Sequence, residues 1–451
     1  MELAYHYLWK YKIFGRPIAT TSGDPVEIIS PGVHNNDSGP DFTNAKVRIA
    51  GQLWAGNVEI HVKASDWYRH GHQNDPAYDN IILHVVAVSD CAIHRPDGSP
   101  VPQVEVAIPE RFLYTYAALA NDLKGVKCGP KIREIPRLIQ EDWLESLAIE
   151  RLHFKASRIL GYFNSLNADW EQTMFTVTAR ALGFGLNGLP FELLAKSLPL
   201  KYIYHHADNL LQVEALLFGQ AGMLDPSSNI FDEYYQSLCT EYLFMARKYG
   251  LRPMKPGLWK YTRTRPGNFP HRRIALLASA LHKGFRFTDT LRGAAGDIET
   301  LLSAFRWRAE GYWQQHGAFG EEGKISLPYP PTLSRASRES LLINVAAPFY
   351  YAYGRSIGDY DLAEYGANIL ASLSAEKNSI ISRWAALGLE ASDALRTQAL
   401  IHLKNEYCDS SKCLRCRFGH YFLRIGAGGR LFNHGIYSMR KGDAKAARAG
   451  S

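Results

Sequence analysis

The spacing of apolar residues changes once along this chain, and that change limits its fold more than any other feature. The segments DPVEIIS (24–30), NAKVRIA (44–50), NVEIHVKA (57–64), NIILHVVAV (80–88) and VPQVEVAI (101–108) alternate in polarity or are rich in β-branched residues. Both are marks of strands. The glycines bracketing GQLWAG, Gly51 and Gly56, predict a hairpin connection, and RPDGS (95–99) predicts a turn. From about residue 135 the period becomes helical. Leu144, Leu147, Leu152, Ile159, Leu160 and Phe163 recur at helical spacing, and further such segments follow at 171–183, 209–222, 229–250, 271–284, 336–353 and 397–407.

The change predicts an α+β chain. An N-terminal mixed α/β sheet domain over residues 1–125 precedes a larger all-α domain over 126–440, with a hinge near 109–135 and a C-terminal cysteine knuckle. The last stretch, 441–451, reads as a disordered tail. MELAYHYLWKYKIF at the start reads as an amphipathic first helix and not as a signal peptide. No run of 18 apolar residues occurs, so neither a membrane-spanning helix nor a membrane partner is expected. Six cysteines in 451 residues are too few for a disulfide scaffold. These features together point to a cytoplasmic protein. No fixed-period repeat suggests a solenoid.

Side chains alternate across a strand. Glu59, His61 and Lys63 therefore share one face of NVEIHVKA, while Val58, Ile60 and Val62 share the other. Asp41 follows Pro40 at the start of the preceding strand. If 44–50 and 57–63 pair as a hairpin, Asp41 approaches Glu59. Two carboxylates so placed suit Mg²⁺ or Mn²⁺, and a cation beside them can assist an attacking water. The following segment adds His70, His72 and His84. With His61 these histidines equally suit Zn²⁺ or another borderline metal.

A second constellation lies near the C-terminus. NEYCDSSKCLRCRFGHYFLR places Cys408, Cys413 and Cys416 at metal-ligand spacing, with His420 close behind. Two completions are open. His420 would make a Cys₃His zinc knuckle, whereas Cys128 in GVKCGPKI would make a four-cysteine site for an iron–sulfur cluster or Zn²⁺.

Other motifs lead to exclusions. Arg263, Arg265, His271, Arg272 and Arg273 in RTRPGNFPHRR suit phosphate, but a solvated helix start is the reading favoured. ALGFGLNGLPFE follows a helix and lacks a Gly-Lys-Ser/Thr sequence, so it is no P-loop. No Gly-x-Ser-x-Gly elbow is present.

Pro40-Asp41, a spacer, and Glu59-Ile60-His61 on the next strand resemble the signature of the PD–D/ExK nuclease superfamily. That superfamily carries Lys where this chain has His61; Lys63 stands two residues later. The wide spacing of Cys128 from Cys408, Cys413 and Cys416 resembles the iron–sulfur staple of certain bacterial recombination and CRISPR-adaptation nucleases. GPDFTNA, GNVEIHV, DW-x-x-H-x-H, LHVV, ALGFGLN-x-x-PFE, RP-x-NFPHRR and YC-x4-C-x2-C together resemble an uncharacterised bacterial family, a domain of unknown function, over nearly the whole chain.

The expected function is metal-dependent hydrolysis of phosphodiester bonds, with Asp41, Glu59, His61 and Lys63 catalytic and nucleic acid as partner. The alternative is a noncatalytic nucleic-acid-binding or scaffolding protein with a structural metal site.

Overall fold

The computed structural model describes residues 2–14, 17–35, 38–95, 97–110, 112–115, 126–261, 268–320 and 332–426. The expected tail at 441–451, with Arg263 and Arg265, lies outside them. The chain divides into two compact units. One holds Met1–Trp143, Leu387–Leu389 and Leu403–Ser451; the other holds Leu144–Ala386 and Glu390–His402.

The first unit is built on α1 (Glu2–Tyr11) and a seven-stranded sheet: β1 (Ile18–Ala19), β2 (Pro25–Ser30), β3 (Val33–His34), β4 (Phe42–Ile49), β5 (Gln52–Lys63), β6 (Ile81–Val88) and β7 (Gln103–Glu105). The order is β1-β2-β4-β5-β6-β7, with β3 against β4. Pairing is antiparallel as far as β5, and parallel for β5–β6 and β6–β7. α1 packs Ala4, Leu8 and Trp9 into the core with Phe42, Val47, Val58, Ile60 and Val85. Burying that apolar face against the sheet is what holds a helix this short in place. A smaller cluster of Trp67, Tyr78, Ile81, Ile93 and Val101 forms beside it.

The hairpin between β4 and β5 is tighter than the sequence predicts. Ile49 pairs with Gln52, and the two-residue turn is Ala50-Gly51. Both turn residues take positive φ, 48° and 85°, as the turn that matches strand twist requires. Gly56 therefore lies within β5 and not in a loop. Its bare Cα answers to close packing: a Cβ there would stand 2.5 Å from Ile82 Cγ2 and 2.7 Å from the Asn80 carbonyl oxygen. Gly56→Ala is expected to cost about 1–3 kcal/mol by overpacking, read as a lower denaturation midpoint.

The cysteine-bearing segment, expected at the end of the helical domain, groups with the sheet unit instead. Leu423, on the helix Arg417–Gly426, is buried in the core that α1 and the sheet share.

The second unit is helical, with a core running through the helices Trp170–Leu182, Leu210–Gln220, Pro270–His282 and Ala347–Ile357. The basic start of Pro270–His282 is not solvated: His271, Arg272 and Arg273 are all buried. Arg273 donates to Asn268 and lies over the ring of Phe184. The architecture is α+β.

Candidate metal centre

β5 carries Glu59 and His61 on the face away from Val58 and Ile60. The parallel register sets Glu59 beside His84 on β6. After β5, one helical turn over Asp66–Arg69 leads to His70, Gly71 and His72. Gly71 takes φ 78°, and this left-handed turn brings the rings on either side of it back over the strand.

Four side chains converge there. His61 Nε2 lies 3.6 Å and His72 Nε2 3.4 Å from Glu59 Oε1. His70 Nδ1 lies 3.2 Å from His61 Nε2. One nitrogen from each of the three histidines falls within 4.8 Å of the other two. Donors about 2.0–2.2 Å from a tetrahedral ion stand about 3.3–3.5 Å from one another, so these separations match such an ion. His72 Nε2 is buried and directed at the Glu59 carboxylate.

Burial and the neighbouring imidazoles shape the electrostatics. Burial, then His84, His72 and His70, push the His61 pKa down to about 2. Burial pushes His84 down to about 3. Both rings are therefore neutral at physiological pH, and protons do not compete with a metal for them. Burial raises the Glu59 pKa; a cation at the site would hold this carboxylate ionised. His84 stands behind His61, with its Nε2 2.9 Å from His61 Nδ1. One N–H lies between them, which fixes the orientation of the ligand ring. Tyr78 stacks on His72 at 3.9 Å between centroids. His70 is exposed and opens the centre to solvent.

Asp41 meets Glu59 through the backbone. Its N–H donates to Glu59 Oε2 at 3.0 Å, and its own Oδ2 accepts from Ile60 N at 2.9 Å. The Asp41 carboxylate turns to His6 Nε2, 3.2 Å away, and with Glu2 these residues form a second close group of ligand atoms. His34 Nε2 lies 3.3 Å from His6 Nδ1. The sequence reading missed Glu2, His6 and His34, whose only signal was polar residues on an otherwise apolar first helix and a short strand. Lys63 is exposed at the end of β5, where its charge acts on Asp90.

The cysteines gather as well. Cys128, Cys408, Cys413 and Cys416 line one cavity. His420 does not join them: its ring is hydrogen-bonded to the Tyr7 hydroxyl and packs on Tyr11 at 4.1 Å between centroids.

A family model described as protein of unknown function (DUF2851) matches residues 2–379. The chain belongs to that family. The match spans both groups of ligand atoms in the sheet unit, together with Cys128, and stops short of Cys408, Cys413 and Cys416. No curated protein and no solved structure matched the chain. Among the described residues, no helix is long and apolar enough to cross a membrane.

Proposed function

We propose that the sheet unit is a metal-dependent hydrolase of phosphodiester bonds, with Glu59, His61, His70 and His72 as its ligand set. One observation carries the reading: three imidazole nitrogens gather within 4.8 Å of one another, two of them 3.4 and 3.6 Å from the Glu59 carboxylate, with one histidine open to solvent. Three imidazoles select a borderline ion such as zinc over Mg²⁺. Held by these four groups, such an ion would take up water as a fifth ligand on the exposed His70 side, lower that water's pKa and polarise a phosphoryl oxygen.

The chain supplies the rest. His84 orients His61, and the Asp41 N–H holds Glu59. The exposed His70 side is where substrate reaches the centre. The Asp41–His6 pair adjoins Glu59 and is placed to take up a proton there. A balance of 51 basic against 44 acidic residues favours a polyanionic substrate such as nucleic acid.

The protein loaded with Zn²⁺ or Mn²⁺ is expected to cleave single- or double-stranded DNA. Chelation, and separately His72→Ala, should abolish the cleavage. Metal uptake with salt-sensitive DNA binding but no cleavage would instead make this a nucleic-acid-binding protein with a structural ion. Absence of both metal uptake and cleavage would overturn the reading altogether.

A further inference from the structure

Four of the six cysteines stand around one cavity, together with Lys127, Tyr407 and Gly419. Three of them come from a single turn-rich segment and the fourth from far upstream. We propose that Cys128, Cys408, Cys413 and Cys416 bind an iron–sulfur cluster. The proposal stands independently of the histidine centre.

Burial, then the neighbouring cysteines, raise the pKa of Cys128 and push Cys408 up to about 12. Burial raises Cys413 and Cys416 too. A reactive-thiol role needs the opposite shift. Four cysteines drawn from two distant segments to line one cavity suit ligation of a cationic centre.

The backbone is shaped to present the sulfurs. Ser411 takes φ 54°, and its N–H bonds Cys408 O at 3.1 Å while Lys412 N bonds Tyr407 O at 2.8 Å. This turn brings Cys408 back toward Cys413. A Cβ on Gly419 would collide with the Cys413 carbonyl, so that glycine lets the helix Arg417–Gly426 start against the Cys413–Arg415 turn. The N–H groups of Gly419 and Phe418 point at the Cys416 sulfur and oppose the effect of its burial. Donors so placed favour a bound thiolate. Lys127 likewise lowers the Cys413 thiol against its burial.

The ligand set and its spacing favour a cluster over a single zinc ion. A single zinc ion with Zn–S bonds of about 2.3 Å draws four sulfurs to about 3.8 Å from one another. Among the described residues, trios of ligand atoms within 4.8 Å occur at the histidines and at Glu2, His6 and Asp41, but not at these cysteines. The four cysteines line one cavity, and four cysteines are the ligand set of [2Fe–2S] and [4Fe–4S] clusters.

The test is metal and sulfide analysis of the full chain purified without oxygen. Iron and acid-labile sulfide in equal amounts are expected, with a broad visible absorption that dithionite bleaches. Cys413→Ser and Cys128→Ser should each lower bound iron more than tenfold, whereas Cys91→Ser and Cys239→Ser keep it. Zinc without sulfide overturns the proposal, and so does metal-free protein with all its thiols titratable. Iron retained in a Cys128→Ser, Cys413→Ser double variant also overturns it. Where a variant fails to fold, as circular dichroism would show, the wild-type analysis decides alone.

Discussion

Glu59→Gln is expected to lose most of its metal affinity while keeping its fold. The Glu59 side chain is 6% exposed. Its Oε2 accepts the Asp41 N–H, and a glutamine carbonyl can accept the same bond in the same volume. Burial already favours the neutral carboxyl, so the amide resembles the metal-free state and costs little stability. What disappears is the charge that offsets an ion among neutral imidazoles. Changing a residue that only supports a ligand typically costs about 10–100-fold in metal affinity, and removing a ligand charge should cost at least as much. Metal at a thousandfold excess over Kd adds about 4 kcal/mol to stability. A hundredfold loss of affinity would remove about 2.7 kcal/mol of that. Zinc titrations followed by thermal unfolding should show a large stabilisation of the wild type and a small one of Glu59→Gln, with similar metal-free midpoints. Equal stabilisation of the two proteins would remove Glu59 from the ligand set.

The parts of this centre that were legible in the sequence are those set by local periodicity. Alternation alone put Glu59 and His61 on one face of β5, and the short link from β4 implied the hairpin that brings Asp41 to Glu59. Proximity in the chain also made His70 and His72 visible. His84 was a candidate ligand, but its place behind His61 depends on β5 and β6 pairing in parallel, a long-range choice that no local pattern fixes. Lys63 obeys the alternation, yet it falls where the strand ends and the chain turns away. Glu2 and His6 reach Asp41 only because α1 lies across the sheet. The same docking takes His420 out of the cysteine site, because Tyr7 and Tyr11 on α1 hold its ring. The cysteines were legible as a group because metal-ligand chemistry imposes spacing on sequence directly. The buried arginines at the start of Pro270–His282 were not, since Arg273 lies over the ring of Phe184, which comes from elsewhere in the chain.

In the helical unit, Glu214→Gln should abolish the loss of stability that Glu214 imposes at alkaline pH. Glu214 sits on Leu210–Gln220 with 3% of its surface exposed. Burial, reinforced by the Glu310 carboxylate, raises its pKa to about 8 even though the Tyr234 hydroxyl donates to it. Its value in the unfolded chain is near 4.5. The folded state therefore binds the extra proton between these two values, and stability falls as pH rises through that window. The protonated carboxyl contributes fully below the unfolded pKa, and its contribution is lost as pH passes the folded value. At about 1.4 kcal/mol per unit of separation, the full span amounts to at most about 5 kcal/mol. The amide keeps an acceptor for Tyr234 and has no proton to lose. Wild type and variant should thus be close in stability near pH 5, with the variant ahead by several kcal/mol near pH 9 by this linkage. Trp313 donates to Tyr234 at 3.1 Å, so its fluorescence reports the unfolding of this region directly in denaturant titrations. Parallel pH profiles for the two proteins would show that Glu214 ionises normally in the folded state.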